Sequence, residues 1–112
     1  MNTNTNINIY KQHIKLDTRL HEAVFSESLD AVNYLLNRGI HIDSKNEKGS
    51  TPLHFACAYS SLEITKFLVE KGANINSQNK NGDTPLRIAE NYGEAGIVEY
   101  LISKGAKKLM HR

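Results

Sequence analysis

The feature that most constrains this chain is an internal repeat. Laid against itself at an offset of 33, residues 46–78 match residues 79–111 at 12 of 33 positions. Average residue usage gives roughly two matches by chance. The identical pairs are Asn46/Asn79, Gly49/Gly82, Thr51/Thr84, Pro52/Pro85, Leu53/Leu86 and Ala56/Ala89, then Tyr59/Tyr92, Ile64/Ile97, Leu68/Leu101, Lys71/Lys104, Gly72/Gly105 and Ala73/Ala106. The same frame runs upstream, where Thr18, Leu20, Ala23, Leu35 and Gly39 stand one period before Thr51, Leu53, Ala56, Leu68 and Gly72. Three units fit, at 13–45, 46–78 and 79–111, with an Asn/Thr-rich tail over 1–12 and a basic end that extends the last unit to 112. A unit this short cannot bury its own apolar face. Stacked neighbours share one core instead.

Each unit reads as two short helices and a turn. In the middle unit the Thr51 hydroxyl can cap the first helix, and Pro52 stands at its first position, where a missing N–H costs nothing. Leu53, Ala56 and Cys57 recur at spacings of three and four and share a face. Ser60 and Ser61 break the run. Leu62, Ile64, Thr65, Phe67, Leu68 and Val69 form the second helix, and Gly72 supplies a left-handed stop. Ser77 to Gly82 form a polar turn before the next Thr-Pro. Ala56 and Ala89 allow neighbouring units to approach closely.

Thr51-Pro52-Leu53-His54-Phe55-Ala56 resembles the ankyrin-repeat signature T-P-L-H-x-A at every defined position, and the period is the ankyrin period. Phe67-Leu68-Val69-Glu70-Lys71-Gly72-Ala73-Asn74-Ile75-Asn76 is similar to the family's second signature. The resemblance covers 13–108. It implies an all-α repeat solenoid of stacked helix-turn-helix units with β-turn or hairpin fingers. It also implies protein binding through the finger tips and the exposed side of the inner helices.

Departures from the pattern carry expectations of their own. Arg87 replaces the signature His in the third unit, which predicts a looser joint there, since that His links repeats in the family. Glu90, Lys107 and Lys108 replace apolar residues, as suits a last unit whose far side faces water. The first unit has Arg19 where the others have Pro, lacks the turn Gly, and reads as an N-terminal cap. Glu27 and Ser60 stand where the third unit has Gly93; a left-handed backbone there costs about 1 kcal/mol. Gly96 inside a helix costs roughly 1 kcal/mol more relative to Ala. Three units is about the minimum for a stable stack. The domain is therefore expected to be marginal, melting no higher than about 70 °C.

Composition narrows the function. Charged residues are 23% and the net charge is +2, too mild for a general nucleic-acid or membrane binder. The charge is uneven: residues 1–15 carry +2, residues 104–112 carry +4 and residues 16–103 carry −4. The basic C-terminal end is thus the one place where weak contact with nucleic acid or an anionic surface is expected. No apolar run approaches membrane-span length, and Met1 to Ile9 do not read as a secretory signal. Cys57 is the only cysteine, which favours a reducing, intracellular and by default cytoplasmic setting.

Catalytic signals are weak. His13, His21, His41, His54 and His111 show no zinc-binding spacing, and His21 and His54, one period apart, read as structural. Cys57 lies on an apolar face without a basic partner. Gly49 and Gly82 are isolated and make no phosphate loop. Asn76 resembles an asparagine that is hydroxylated in some family members and has an equally plain use in a turn. No cofactor, metal or small-molecule substrate is expected.

The expected function is a non-enzymatic, monomeric protein-binding module. Tyr59 and Tyr92 are the first candidate anchors, because Tyr offers contact area and a hydroxyl at low entropy cost. The alternative is that both rings only pack along the stack. Phe25 and Asn91, at the ends of inner helices, are further candidates. The turn candidates are Lys45, Glu47, Lys48 and Ser50 at the first junction, and Gln78, Lys80, Asn81 and Asp83 at the second. A rival reading is a small repeat remnant with no dedicated partner.

Overall fold

The computed structural model describes residues 16–59 and 61–108. The tail expected over 1–12, Lys11, His13 and Lys15, the turn residue Ser60, and residues 109–112 of the basic end, with His111 and Arg112, lie outside the described residues. Among the described residues six helices form three antiparallel pairs. The inner helices are α1 (Arg19–Phe25), α3 (Pro52–Ala58) and α5 (Pro85–Asn91). The outer helices are α2 (Leu29–Asn37), α4 (Leu62–Glu70) and α6 (Ala95–Ser103).

Proline decides how the inner helices begin. Pro52 and Pro85 push the preceding residue into the extended region, and Thr51 and Thr84 adopt it, at ψ 168° and 167°. From there each hydroxyl accepts a helical N–H, that of His54 at 3.3 Å and that of Arg87 at 3.2 Å. Arg19 imposes no such restriction. Thr18 stays at ψ 14° and its hydroxyl caps nothing. The carboxylate of Asp17 takes over, accepting the Arg19 N–H at 3.1 Å and pairing with its guanidinium at 2.9 Å. That Arg19 contact holds the Asp17 carboxyl down at about 2. The outer helices α2 and α4 start on Ser28 and Ser61, whose hydroxyls accept the N–H of Ala31 and Ile64.

A single core runs the length of the stack. Leu20, Val24, Leu53, Cys57, Leu86 and Ala89 from the inner helices meet Val32, Ile64, Leu68, Ile97 and Leu101 from the outer ones, all at most 2% exposed. Ala56 and Ala89, both fully buried, let the inner helices pack closely on one another. The outer helices touch less, and they are nine residues long against seven. The stack therefore curves with its inner helices on the concave side.

Side chains repeated at the period tie each unit to the next. The His21 ring reaches the Ser50 carbonyl at 2.7 Å, and the His54 ring reaches that of Asp83 at 2.8 Å. Asp43 accepts the Asn74 N–H at 3.0 Å, and one period later Asn76 accepts the Lys107 N–H at 2.9 Å. These bonds correct the expectation of a loose joint at Arg87. The signature His bonds forward, so His54 closes the joint between the second and third pairs and Arg87 has no part in it.

The fingers are turns, and no strand occurs among the described residues. Asn46 accepts the N–H of Lys48 and Ser50 on one oxygen, and Asn79 does the same for Asn81 and Asp83. Gly49 (φ 76°) is the tightest point, where an added Cβ would sit 3.0 Å from the Lys80 nitrogen. That close approach lets the Lys80 N–H donate to the Lys48 carbonyl at 2.9 Å, joining the two fingers. Beyond the last core residues, Lys108 pairs with half-buried Glu90 at 3.3 Å. Two of the three charged replacements on the last unit thus neutralise one another.

Candidate functional site

The concave side carries the exposed aromatic residues of the inner helices. Phe25, at the end of α1, is 57% exposed and Tyr59, the C-cap of α3, is 41% exposed. Their rings meet edge to face with centroids 4.8 Å apart. Tyr59 also meets half-buried Phe55 at 5.7 Å, and Phe55 meets the His21 ring at 5.1 Å. Three rings from two units therefore form one patch with His21 at its base. Tyr92 caps α5 one period after Tyr59, is 58% exposed and has no ring contact among the described residues. The two readings of the tyrosines thus divide: Tyr59 packs and is still open to solvent, whereas Tyr92 is open without packing on another ring.

The fingers lead into the N-terminal ends of the inner helices, opposite Phe25, Tyr59 and Tyr92 at the C-terminal ends, and their candidate residues separate into two kinds. Lys45, Glu47, Lys48, Lys80 and Asn81 present exposed side chains. Ser50 and Asp83 are half-buried, and their main chains are committed to the inter-unit joints through His21 and His54. Gln78 is exposed and turns back to donate to the Gly82 carbonyl at 3.1 Å. Asn91 is exposed in the last turn of α5.

The buried polar groups serve the stack. In His54, Nδ1 accepts the Thr51 N–H at 3.0 Å, so the neutral ring carries its proton on Nε2 and donates to Asp83. His21 has the same forward bond, but its Nδ1 is buried without a partner because Thr18 is not extended. Burial pushes both imidazoles below their ordinary value. Burial pushes the Cys57 thiol up to about 12, so the thiolate a nucleophile needs does not form. No group of side chains with metal-binding arrangement occurs among the described residues. An open cleft of about 380 Å³ at the end of α2, lined by Asn37, Ile40, His41 and Lys71 among others, includes none of the inner-face rings.

Several contributors escaped sequence reasoning. Phe55 occupies the undefined position of the signature, so the motif gives it no role. The Asp43/Asn76 clamp and an outer row of rings, Tyr34, Phe67 and Tyr100, are also periodic. Their members are chemically similar and not identical, so a comparison restricted to identical pairs passes over them.

Fold and site define a short α-helical solenoid with a concave, aromatic-bearing face. A family model described as ankyrin repeats, in three copies, matches residues 20–111. The chain belongs to the ankyrin-repeat family, whose members generally mediate protein–protein interaction. A search of curated proteins found no match.

Proposed function

We propose that this chain is a non-enzymatic protein-binding module that takes its partner on the concave face, with Tyr59 and Tyr92 as principal anchors. The observation that carries this reading is the solvent exposure of Phe25, Tyr59 and Tyr92 in a chain short of large apolar side chains. These three rings lie on the inner helices at 57%, 41% and 58% exposure. Exposed aromatic residues gathered on one concave surface are a usual basis of interface hot spots. Lys45, Glu47, Lys48, Lys80 and Asn81 on the fingers then set orientation and partner choice through their charges and amides. An intracellular setting agrees with the single buried thiol of Cys57.

The test is affinity capture with mass spectrometry, using the intact chain and a Tyr59→Ala/Tyr92→Ala variant side by side. Proteins retained by the intact chain should be lost from the variant. Loss of two hot spots of about 1–2 kcal/mol each weakens binding at least tenfold. If every captured protein is retained equally by both, the concave-face assignment fails.

A further inference from the structure

On the outer side of the stack the chain supplies cations to its own aromatic rings. The Arg38 guanidinium lies 5.6 Å from the centre of the Tyr34 ring and the Lys71 ammonium 5.4 Å from that of Phe67. Lys66 and Lys104 lie 5.7 and 5.8 Å from Tyr100. Arg38, Lys71 and Lys104 recur at the same period as the rings they accompany.

The inner rings are treated differently. Among the described residues no cation lies over Phe25, Phe55 or Tyr59; their ring contacts are with one another and with His21. The charges beside them are negative. Glu22 stands one helical turn before Phe25 on the same face of α1, and Glu27 follows Phe25 by two residues. Both are exposed, and neither has an ion pair among the described residues. No basic residue occurs in the last turns of α1, α3 or α5. Ring faces are electron-rich, so rings flanked by carboxylates attract a cation and repel an acid.

We propose that the Phe25–Phe55–Tyr59 patch receives a lysine or arginine side chain of a protein partner, its cation lying against the Phe25 and Tyr59 rings and facing the carboxylates of Glu22 and Glu27. This rests on the inner face being a protein-binding surface, and it adds the charge and residue type of what the patch takes. The fingers opposite carry Lys45, Lys48 and Lys80 against Glu47 and Asp83. The bound segment is therefore basic where it meets the inner-helix ends and tolerates acid near the fingers.

The experiment selects phage-displayed random peptides on the intact chain and measures a selected peptide by fluorescence anisotropy. Selected peptides should be enriched in Lys or Arg beside an apolar residue. Replacing that Lys by norleucine in the peptide, or Glu22→Gln/Glu27→Gln in the protein, should weaken binding about fivefold or more, with the loss shrinking at high salt. The peptide replacement leaves the protein untouched, so the test stands even if the variant is poorly folded. Selected peptides without basic enrichment, or affinities within about twofold after both replacements, overturn the cation assignment. If such peptides still lose affinity on Tyr59→Ala/Tyr92→Ala, the protein-binding reading survives without it. If no selected peptide responds to the tyrosine variant, or none is selected, both fail. A Lys11→Gln/Lys15→Gln variant should bind as the intact chain does. Tighter binding would assign the patch to this chain's own first residues and overturn the partner assignment.

Discussion

The inner and outer sides of this stack use the same residue types to opposite ends. The outer helices carry one ring per unit, Tyr34, Phe67 and Tyr100, and the chain places a cation near each. The inner helices carry Phe25, Phe55, Tyr59 and Tyr92, over which no cation lies among the described residues. The inner side also holds the small-residue contacts and the two histidine joints, so it is where units are held together. The outer side carries longer helices in looser contact. Cohesion between units and an open surface thus coincide on the concave side, while each ring of the outer row has a cation of the chain's own nearby.

Breaking an inner joint should have the largest effect. His54→Ala removes the acceptor of the Thr51 N–H and the donor to the Asp83 carbonyl in a site 2% exposed. Two unsatisfied buried groups cost about 3 kcal/mol. Urea unfolding of the variant should show that loss; a change below about 1 kcal/mol would mean that the joints are not where the cohesion lies.

Acid should weaken the same joints reversibly. The neutral rings make the forward bonds, and burial holds both folded-state values below the ordinary 6.5. As pH falls, the unfolded chain therefore takes up protons before the folded one, and stability drops. It is complete above about 6.5 and declines below it toward the depressed folded-state values. Asp17 cannot mimic this decline, because its carboxyl begins to titrate only near 3.8. Equal stability at about pH 7.5 and about pH 5.5, measured by chemical denaturation, would break the assignment to His21 and His54.

A smaller gain is expected at the turn between α1 and α2. Glu27 lies at φ 57°, where the third unit has Gly93 at φ 70°. Glu27→Gly should stabilise the domain by about 1 kcal/mol, read as a higher midpoint in thermal unfolding. The same change should weaken a Lys- or Arg-bearing peptide, so stability and binding would move in opposite directions.

The smallest effect belongs to the outer side. Lys71→Gln removes the cation beside Phe67 and should cost about 0.5 kcal/mol at most, since the Lys71 ammonium is on an exposed side chain. A loss comparable to that of His54→Ala would abolish the contrast between the two sides.

Much of this architecture was legible along the chain, for reasons particular residues make clear. Thr51-Pro52 and Thr84-Pro85 announce helix starts because proline restricts its predecessor locally. Gly72 and Gly105 announce stops because their left-handed backbone is a local need. Ala56 and Ala89 announce close packing through size alone. The closed joint before Arg87 is not legible in the motif, which gives the His54 residue and not the direction of its bond. The aromatic patch was legible only in part. Tyr59 and Tyr92 stood out as an identical pair, but Phe25 and Phe55 occupy non-equivalent positions of different units and come together only across the joint.

By itself the sequence determined the period, the helix boundaries and the burial of one face per helix. Those depend on interactions within a few residues and on a pattern any stacked copy would satisfy. Only the tertiary structure decided which rings are bare and which have a cation of their own. That depends on the curvature produced by close inner and looser outer contacts, and on which side chains from neighbouring units meet across that curve.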